Sequence, residues 1–138
     1  MIGLVIADDE QIIRKGLAGL PWNDIDVEVR GIASNGIEAL EILKKTESKI
    51  ILTDIRMPDM DGIDLIRIIS EELPGIKTIL LTGYQEFDYA YSAIKYGAFE
   101  FILKPTDPDE ILEIISRAKE EIECQNKSTF IFDNKKSL

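Results

Sequence analysis

Residues 50–62 read IILTDIRMPDMDG. The apolar run Ile50, Ile51, Leu52, Thr53 reads as a short strand, and it delivers Asp54 to its carboxyl end. Pro58, Asp61 and Gly62 then belong to a loop, after which Ile63, Ile66 and Ile69 recur at helical spacing until Pro74 and Gly75 stop them. A strand ending on an acid, a polar loop and an amphipathic helix make one β-α unit.

The unit repeats in both directions. Toward the amino terminus, Ile2, Leu4, Val5, Ile6 and Ala7 form a run too short for a stable helix and rich in β-branched residues, a strand buried on both faces that stops at Asp8, Asp9 and Glu10. Ile12, Ile13, Leu17 and Leu20 follow at helical spacing, with Arg14 and Lys15 turned to solvent; Pro21 ends the helix and Trp22 packs over its end. Val27, Val29 and Ile32 begin a strand, and Asn35 and Gly36 lead into a helix whose stripe is Ile37, Leu40 and Leu43. Toward the carboxyl terminus, residues 76–81 form a strand ending in Thr82 and Gly83, and Phe87, Ala90, Ile94 and Ala98 mark a helix with Gly97 near its end. Phe99, Phe101, Ile102 and Leu103 form a fifth strand closed by Lys104 and Pro105. Asp107 and Glu110 then have the form of a capping box before the stripe Ile111, Ile114, Ile115, Ala118, Ile122.

Five strands alternating with five helices, joined by right-handed crossovers, place helices on both faces of a parallel sheet, so the pattern predicts a doubly wound, three-layer α/β sandwich. Residues 1–122 carry this pattern. From Glu123 the stripe decays, and residues 123–138 read as a tail or as the start of a connector to an output domain. Docking on the body, contact with a partner and disorder are all open for Phe130, Ile131 and Phe132.

Composition removes whole classes of chemistry. Among 138 residues there are 26 acidic and 16 basic side chains and no histidine, a net charge of -10. Serine-histidine and cysteine-histidine catalysis and histidine-containing zinc sites are excluded. Cys124 is the only cysteine, which excludes an intrachain disulfide and a four-cysteine metal cluster. The acidic balance opposes nucleic-acid binding, because phosphate contacts need clustered Lys and Arg. The apolar runs fall far short of the roughly 20 residues that span a bilayer, and MIGLVIADDE has no signal-peptide region, so no membrane association and a cytoplasmic location are expected.

In an open α/β sheet, ligands bind beyond the carboxyl ends of the strands. Those ends carry Asp8 and Asp9, Asp54, Thr82 and Lys104. Carboxylates gathered there repel one another unless a cation compensates, and an all-oxygen set of Asp8 or Asp9, Asp54, a backbone carbonyl and waters suits Mg²⁺. Asp54 is the candidate nucleophile: an ionised carboxylate accepts a phosphoryl group without a general base, while Lys104 and Thr82 can stabilise the transferring oxygens. The plain alternatives are acids collected for turns and solubility, a solvated strand-capping lysine and a turn hydroxyl. Their placement at four separate strand ends favours chemistry.

ADDE at 7–10, TDIRMPDMDG at 53–62, LTGY at 81–84 and LKPTD at 103–107 together resemble the receiver domain of bacterial two-component response regulators, over residues 2 to about 121. The resemblance implies a flavodoxin-like fold with sheet order 2-1-3-4-5 and a phosphoacceptor at Asp54. It implies Mg²⁺ (or Mn²⁺) held by Asp8, Asp9, Asp54 and the backbone carbonyl of Arg56. Thr82 corresponds to the switch hydroxyl, Lys104 to the phosphate-contacting lysine and Phe101 to the switch aromatic. That aromatic is often tyrosine, so Phe101 departs from the pattern by losing a hydroxyl. Pro105 follows the lysine in a peptide that can adopt the cis form. The implied partner is a sensor histidine kinase. A phosphorylation-dependent homodimer through residues 84–122, with Tyr84, Phe87, Tyr89 and Tyr91 supplying aromatic area, is a further expectation. Trp22, Asn35 and Gly36, TDIRMP and GYQEFDYA resemble receivers that precede AraC-type DNA-binding domains. On this reading the chain is a signalling domain rather than an enzyme, with weak self-phosphorylation from small donors and slow autodephosphorylation, and nucleic-acid contact lies outside it.

Two other classes stay open at this point. A Mg²⁺-dependent phosphohydrolase would also use Asp54 as nucleophile, but Arg56 stands where the common DxD arrangement has its second aspartate. A phosphorylation-independent interaction domain would keep only the scaffold.

Overall fold

The computed structural model describes residues 1–83 and 87–136. Strands β1 (Ile2–Ala7), β2 (Val27–Ala33), β3 (Ile50–Asp54), β4 (Lys77–Thr82) and β5 (Glu100–Leu103) alternate with helices α1 (Gln11–Ala18), α2 (Gly36–Thr46), α3 (Gly62–Glu72), α4 (Phe87–Lys95) and α5 (Pro108–Lys136), with a 3₁₀ turn at Trp22–Ile25. The strands are parallel and ordered β2-β1-β3-β4-β5, as the resemblance implies.

Alternation along each strand divides the core into two layers. Leu4 and Ile6 of β1, Leu52 of β3 and Ile79 and Leu81 of β4 pack with Leu17 of α1 and Ile111, Ile115 and Ala118 of α5. Val5 and Ala7 face the other way, with Ile51, onto Ala39 and Leu43 of α2 and Leu65 and Ile69 of α3. Ile55, Ile66, Leu80 and Ala93 form a smaller cluster beside them. Helices on both faces explain why the central strands read as nearly continuous apolar runs.

Register then sets the site. Ala7 pairs with Thr53, Asp54 with Leu81, and Thr82 with Leu103. The next residue along β1 is Asp8 and the next along β5 is Lys104, so four strands deliver their polar ends to one edge of the sheet.

Local signals explain the helix limits. Trp22 Nε1 donates to the Leu17 carbonyl at 2.9 Å, packing the indole over the end of α1 as expected. Asn35 caps α2 by accepting from the Glu38 amide at 2.8 Å, and Asp61 caps α3 through the Asp64 amide at 2.9 Å. Asp107 precedes α5 and accepts from the Asp109 amide at 2.9 Å.

Two expected apolar stripes shift. Ile12 is 87% exposed and Ile37 47% exposed. In α1 the core-facing residue is Leu17, with Ile13 packed beside it; in α2 Ala39 and Leu43 meet the sheet, while Gly36 packs closely on Met60 in the loop before α3. A stripe traced through the largest side chains overlooks the small ones that allow close approach. The backbone of α5 stays helical to Lys136, past Ile122 where the apolar pattern fades. Tyr84 lies outside the described residues, and the side chains of Phe87, Tyr89, Phe130, Ile131 and Phe132 lie outside them as well. Among the described residues no helix is long and apolar enough to cross a membrane.

Candidate functional site

Asp8, Asp9 and Asp54 each offer a carboxylate oxygen within 4.8 Å of the others; Asp8 and Asp54 are buried and Asp9 is exposed. Backbone amides at the strand ends fix two of these carboxylates. The Glu10 amide donates to Asp8 Oδ1 at 2.9 Å, and the Ile55 amide donates to Asp54 Oδ1 at 2.9 Å. Lys104 Nζ donates to the same Asp54 oxygen at 3.2 Å and stands 3.9 Å from Asp8 Oδ2.

Burial pushes the Asp8 carboxyl up to about 6; the hydrogen bond from Glu10 opposes the shift, the negative charge of Asp54 adds to it, Lys104 opposes it and Asp9 adds a little. For Lys104, burial is the largest single influence and lowers the pKa, but the Asp54 charge, the hydrogen bond to Asp54, Asp8 and Glu10 together outweigh it, and the ammonium ends above its ordinary value. The lysine is therefore the resident counter-ion of the cluster and not a solvated cap.

The site fits a hard divalent cation. All three side-chain donors are oxygen, and Asp8 Oδ2 is buried without a hydrogen bond among the described residues. An orphaned buried carboxylate oxygen carries a desolvation cost that a coordinated cation removes.

Thr82 ends β4 at the same edge; its hydroxyl is turned to the Gly83 carbonyl at 3.2 Å. Phe101 is half-buried on β5 and packs against the cluster of Ile55, Ile66, Leu80 and Ala93. Arg56 is exposed two residues beyond Asp54, and the Lys104–Pro105 peptide is cis. The structure thus brings Asp8, Asp9, Asp54 and Lys104 into one cluster, with Thr82 at its edge and Phe101 behind the sheet's end.

Three supports have no counterpart in the sequence pattern. Arg14, expected to face solvent, is half-buried, and its Nη1 donates to the Asp8 carbonyl at 2.8 Å, which pins the turn after β1. The signal for it is its position in the first turns of α1, next to the end of β1. Gly62 packs on the end of β3: a Cβ there would lie 2.4 Å from the Asp54 carbonyl oxygen. Its amide donates to the Ile55 carbonyl at 2.7 Å. The amides of Glu10 and Ile55 leave no trace in side-chain patterns at all.

Known proteins are similar to this chain in sequence and fold. The model of the response regulator receiver domain family matches residues 4–116. Over 127 residues the chain is 37% identical to the transcriptional regulatory protein YesN of Bacillus subtilis (strain 168), covering 91% of this chain and 34% of YesN. Over 118 residues it is 36% identical to the transcriptional regulatory protein HptR of Staphylococcus aureus (strain N315), covering 85% and 46%. It therefore spans less than half the length of either relative. Among solved structures it is similar to the receiver domain of the response regulator AraT from Geobacillus stearothermophilus, at 39% identity and a TM-score of 0.84 over 91% of this chain and 98% of that one. A two-component AraC transcriptional regulator from Clostridium phytofermentans gives 33% identity and a TM-score of 0.83, with 91% and 98% covered. With the sheet order, the strand-end acids and a family match over most of its length in agreement, this chain belongs to the response regulator receiver domains of two-component systems.

Proposed function

We propose that the chain is the phosphoacceptor switch of a transcriptional regulator, taking a phosphoryl group onto Asp54 from a phosphohistidine of a sensor histidine kinase. The observation that carries this reading is the contact of Asp54 with Lys104 at 3.2 Å inside a cluster of three carboxylates. An Asp54 oxygen attacks phosphorus, an O–P bond forms, the P–N bond breaks, and the imidazole nitrogen leaves with the electron pair and is reprotonated from solvent. Asp54 is already an acceptor of hydrogen bonds and needs no base. Lys104 is placed to follow the charge from the carboxylate to the phosphoryl oxygens.

Asp8, Asp9, Asp54 and the backbone carbonyl of Arg56 would hold Mg²⁺ (or Mn²⁺). Bound there, the ion supplies positive charge against the transferring oxygens. Arg14 and the Glu10 amide keep the Asp8 end of that set in place.

After transfer, the Thr82 hydroxyl leaves the Gly83 carbonyl for a phosphoryl oxygen, and Phe101 follows into the space beside β4. The surface formed by residues 84–122 then supports a homodimer. Tyr91 and Ile94 stand exposed on α4 in support of this. Residues 1–122 act as the receiver and 123–138 as the start of a connector to a DNA-binding output domain, which accords with the continuation of α5 to Lys136. With a net charge of -10, these residues leave nucleic-acid contact to that output domain, and the whole acts in the cytoplasm. On this reading the domain signals rather than turns over, with weak self-phosphorylation from small donors and slow autodephosphorylation.

The test is incubation with acetyl phosphate and Mg²⁺, followed by intact-mass analysis and peptide mapping. The expected result is one alkali- and hydroxylamine-labile phosphoryl group on Asp54, lost in Asp54→Ala. Undiminished incorporation by that variant would remove Asp54 from the role.

A further inference from the structure

Asp8 is held at every polar atom but one. Its amide donates to the Ala33 carbonyl of β2 at 3.0 Å, its Oδ1 accepts from the Glu10 amide at 2.9 Å, and its carbonyl accepts from Arg14 Nη1 at 2.8 Å. Oδ2 alone is left, buried, without a hydrogen bond among the described residues and 3.9 Å from the Lys104 ammonium. A carboxylate whose orientation is already fixed elsewhere presents that oxygen to a cation at little further cost in entropy.

Two of the three fastenings come from backbone amides, which almost any residue supplies. The third is a side chain, the half-buried guanidinium of Arg14 reaching back from α1. The carbonyl it holds belongs to the peptide that joins Asp8 to Asp9. Because that peptide is planar, fixing its oxygen fixes the direction in which the chain enters Asp9 as well as the one in which it leaves Asp8. The donor is charged, which makes the bond a strong one.

We infer that Arg14 is a positioning residue for the cation: by holding the Asp8–Asp9 peptide it raises the affinity of these acids for Mg²⁺. This rests on the proposed reading of the cluster as an Mg²⁺ site and names the residue outside the ligand set on which its affinity depends. The sign of the effect separates alignment from charge. Arg14 is itself a cation beside an acidic cluster, so its field alone opposes Mg²⁺, and losing it would tighten binding. Losing the alignment weakens binding, and groups that orient metal ligands from behind are worth roughly 10–100-fold in affinity.

Arg30 is the matched control. It also donates to backbone carbonyls, of Met1 at 3.0 Å and Thr46 at 3.2 Å, but at the opposite, amino edge of the sheet.

Mg²⁺ is titrated by calorimetry into the 138-residue chain, Arg14→Met and Arg30→Met, without phosphodonor and at a temperature where circular dichroism shows each folded. Acetyl phosphate incorporation is then followed against Mg²⁺ concentration. Arg14→Met is expected to bind about tenfold more weakly than the parent. Its half-saturating Mg²⁺ for incorporation should rise by the same factor while the rate at saturating Mg²⁺ stays near the parent's. Arg30→Met should bind Mg²⁺ as the parent does, whatever stability it loses. Arg14→Gln, polar but too short to span to the carbonyl, is read in the same way if the methionine variant does not fold. Equal or tighter binding by the Arg14 variant, a matching loss in Arg30→Met, or a lowered saturating rate at unchanged half-saturation would each overturn the role of Arg14 and leave the Mg²⁺ site standing. A parent chain that takes up no Mg²⁺ would overturn the site and this inference together.

Discussion

Lys104 and Asp54, fifty positions apart in sequence, meet at 3.2 Å at the carboxyl edge of the sheet, and the same ammonium stands 3.9 Å from buried Asp8 Oδ2. One cation thus serves two buried acids. The arrangement is poised: it holds the acids together, and it leaves them short of positive charge.

Replacing Lys104 by Met should expose that shortage. The raised Lys104 pKa means its contribution is complete below the ordinary value of 10.5 and is lost only as pH rises through the still higher folded value, so at neutral pH the full effect is read. Urea unfolding of Lys104→Met without divalent ions is expected to show a loss of about 1–3 kcal/mol, below the cost of breaking a fully buried pair because the lysine is partly exposed. Addition of Mg²⁺ should narrow the gap between variant and parent. A gap that ignores Mg²⁺ would mean the acids do not share a cation.

Asp8 makes the opposite prediction in pH. Its carboxyl titrates near 6 in the folded chain against 3.8 unfolded, so between those values the unfolded state binds fewer protons and stability falls as pH rises. The loss is complete above about 6 and amounts to at most about 3 kcal/mol. Asp8→Asn removes the penalty. Compared with the parent in EDTA, it is expected to melt higher at a pH of about 7.5 and to lose the downward slope between about pH 4 and 6, while no longer gaining stability from Mg²⁺. Equal slopes in the two proteins would contradict the placement of that charge.

Gly62 and Gly16 form a matched pair of alanine tests. A Cβ on Gly62 would press on the Asp54 carbonyl oxygen at 2.4 Å and the Ile55 Cα at 3.0 Å, both backbone atoms that cannot turn aside. Gly62→Ala should cost about 1–3 kcal/mol and slow phosphorylation by moving the end of β3. Gly16 lies in the interior of α1, and a Cβ added to it would have nothing within 4 Å, so Gly16→Ala should stabilise by about 0.5–1 kcal/mol. Thermal melts of both, with acetyl phosphate incorporation, decide the matter.

The strands are legible because each apolar run is cut off by polar residues, and those same residues are the cluster. That is why Asp8, Asp54, Thr82 and Lys104 stand out in the sequence. Strand order is not readable from spacing, since any right-handed winding gives the same string of runs; the family resemblance supplies it. Ile12 and Ile37 mislead because helical spacing shows a stripe's period but not which side of it touches the sheet, and Ala39 outcompetes larger neighbours for the closest approach. Arg14 is hidden for a related reason: a long polar side chain on a helix looks solvated until the carbonyl it reaches is known.

The α4 surface gives the last prediction. Tyr91 and Ile94 are one helical turn apart, 62% and 46% exposed, on the helix that follows the strand carrying Thr82. If phosphorylation assembles a homodimer through residues 84–122, Tyr91→Ala combined with Ile94→Ser should keep full phosphate incorporation yet sediment as a monomer with acetyl phosphate and Mg²⁺. Thr82→Ala should also take up phosphate, because Asp54 and Lys104 are untouched, but its hydroxyl is no longer there to exchange the Gly83 carbonyl for the phosphoryl group, so its shift toward dimer should be weaker than the parent's. Dimerisation equal to the parent in the double variant would move the interface off α4, and parental dimerisation in Thr82→Ala would uncouple that hydroxyl from the response.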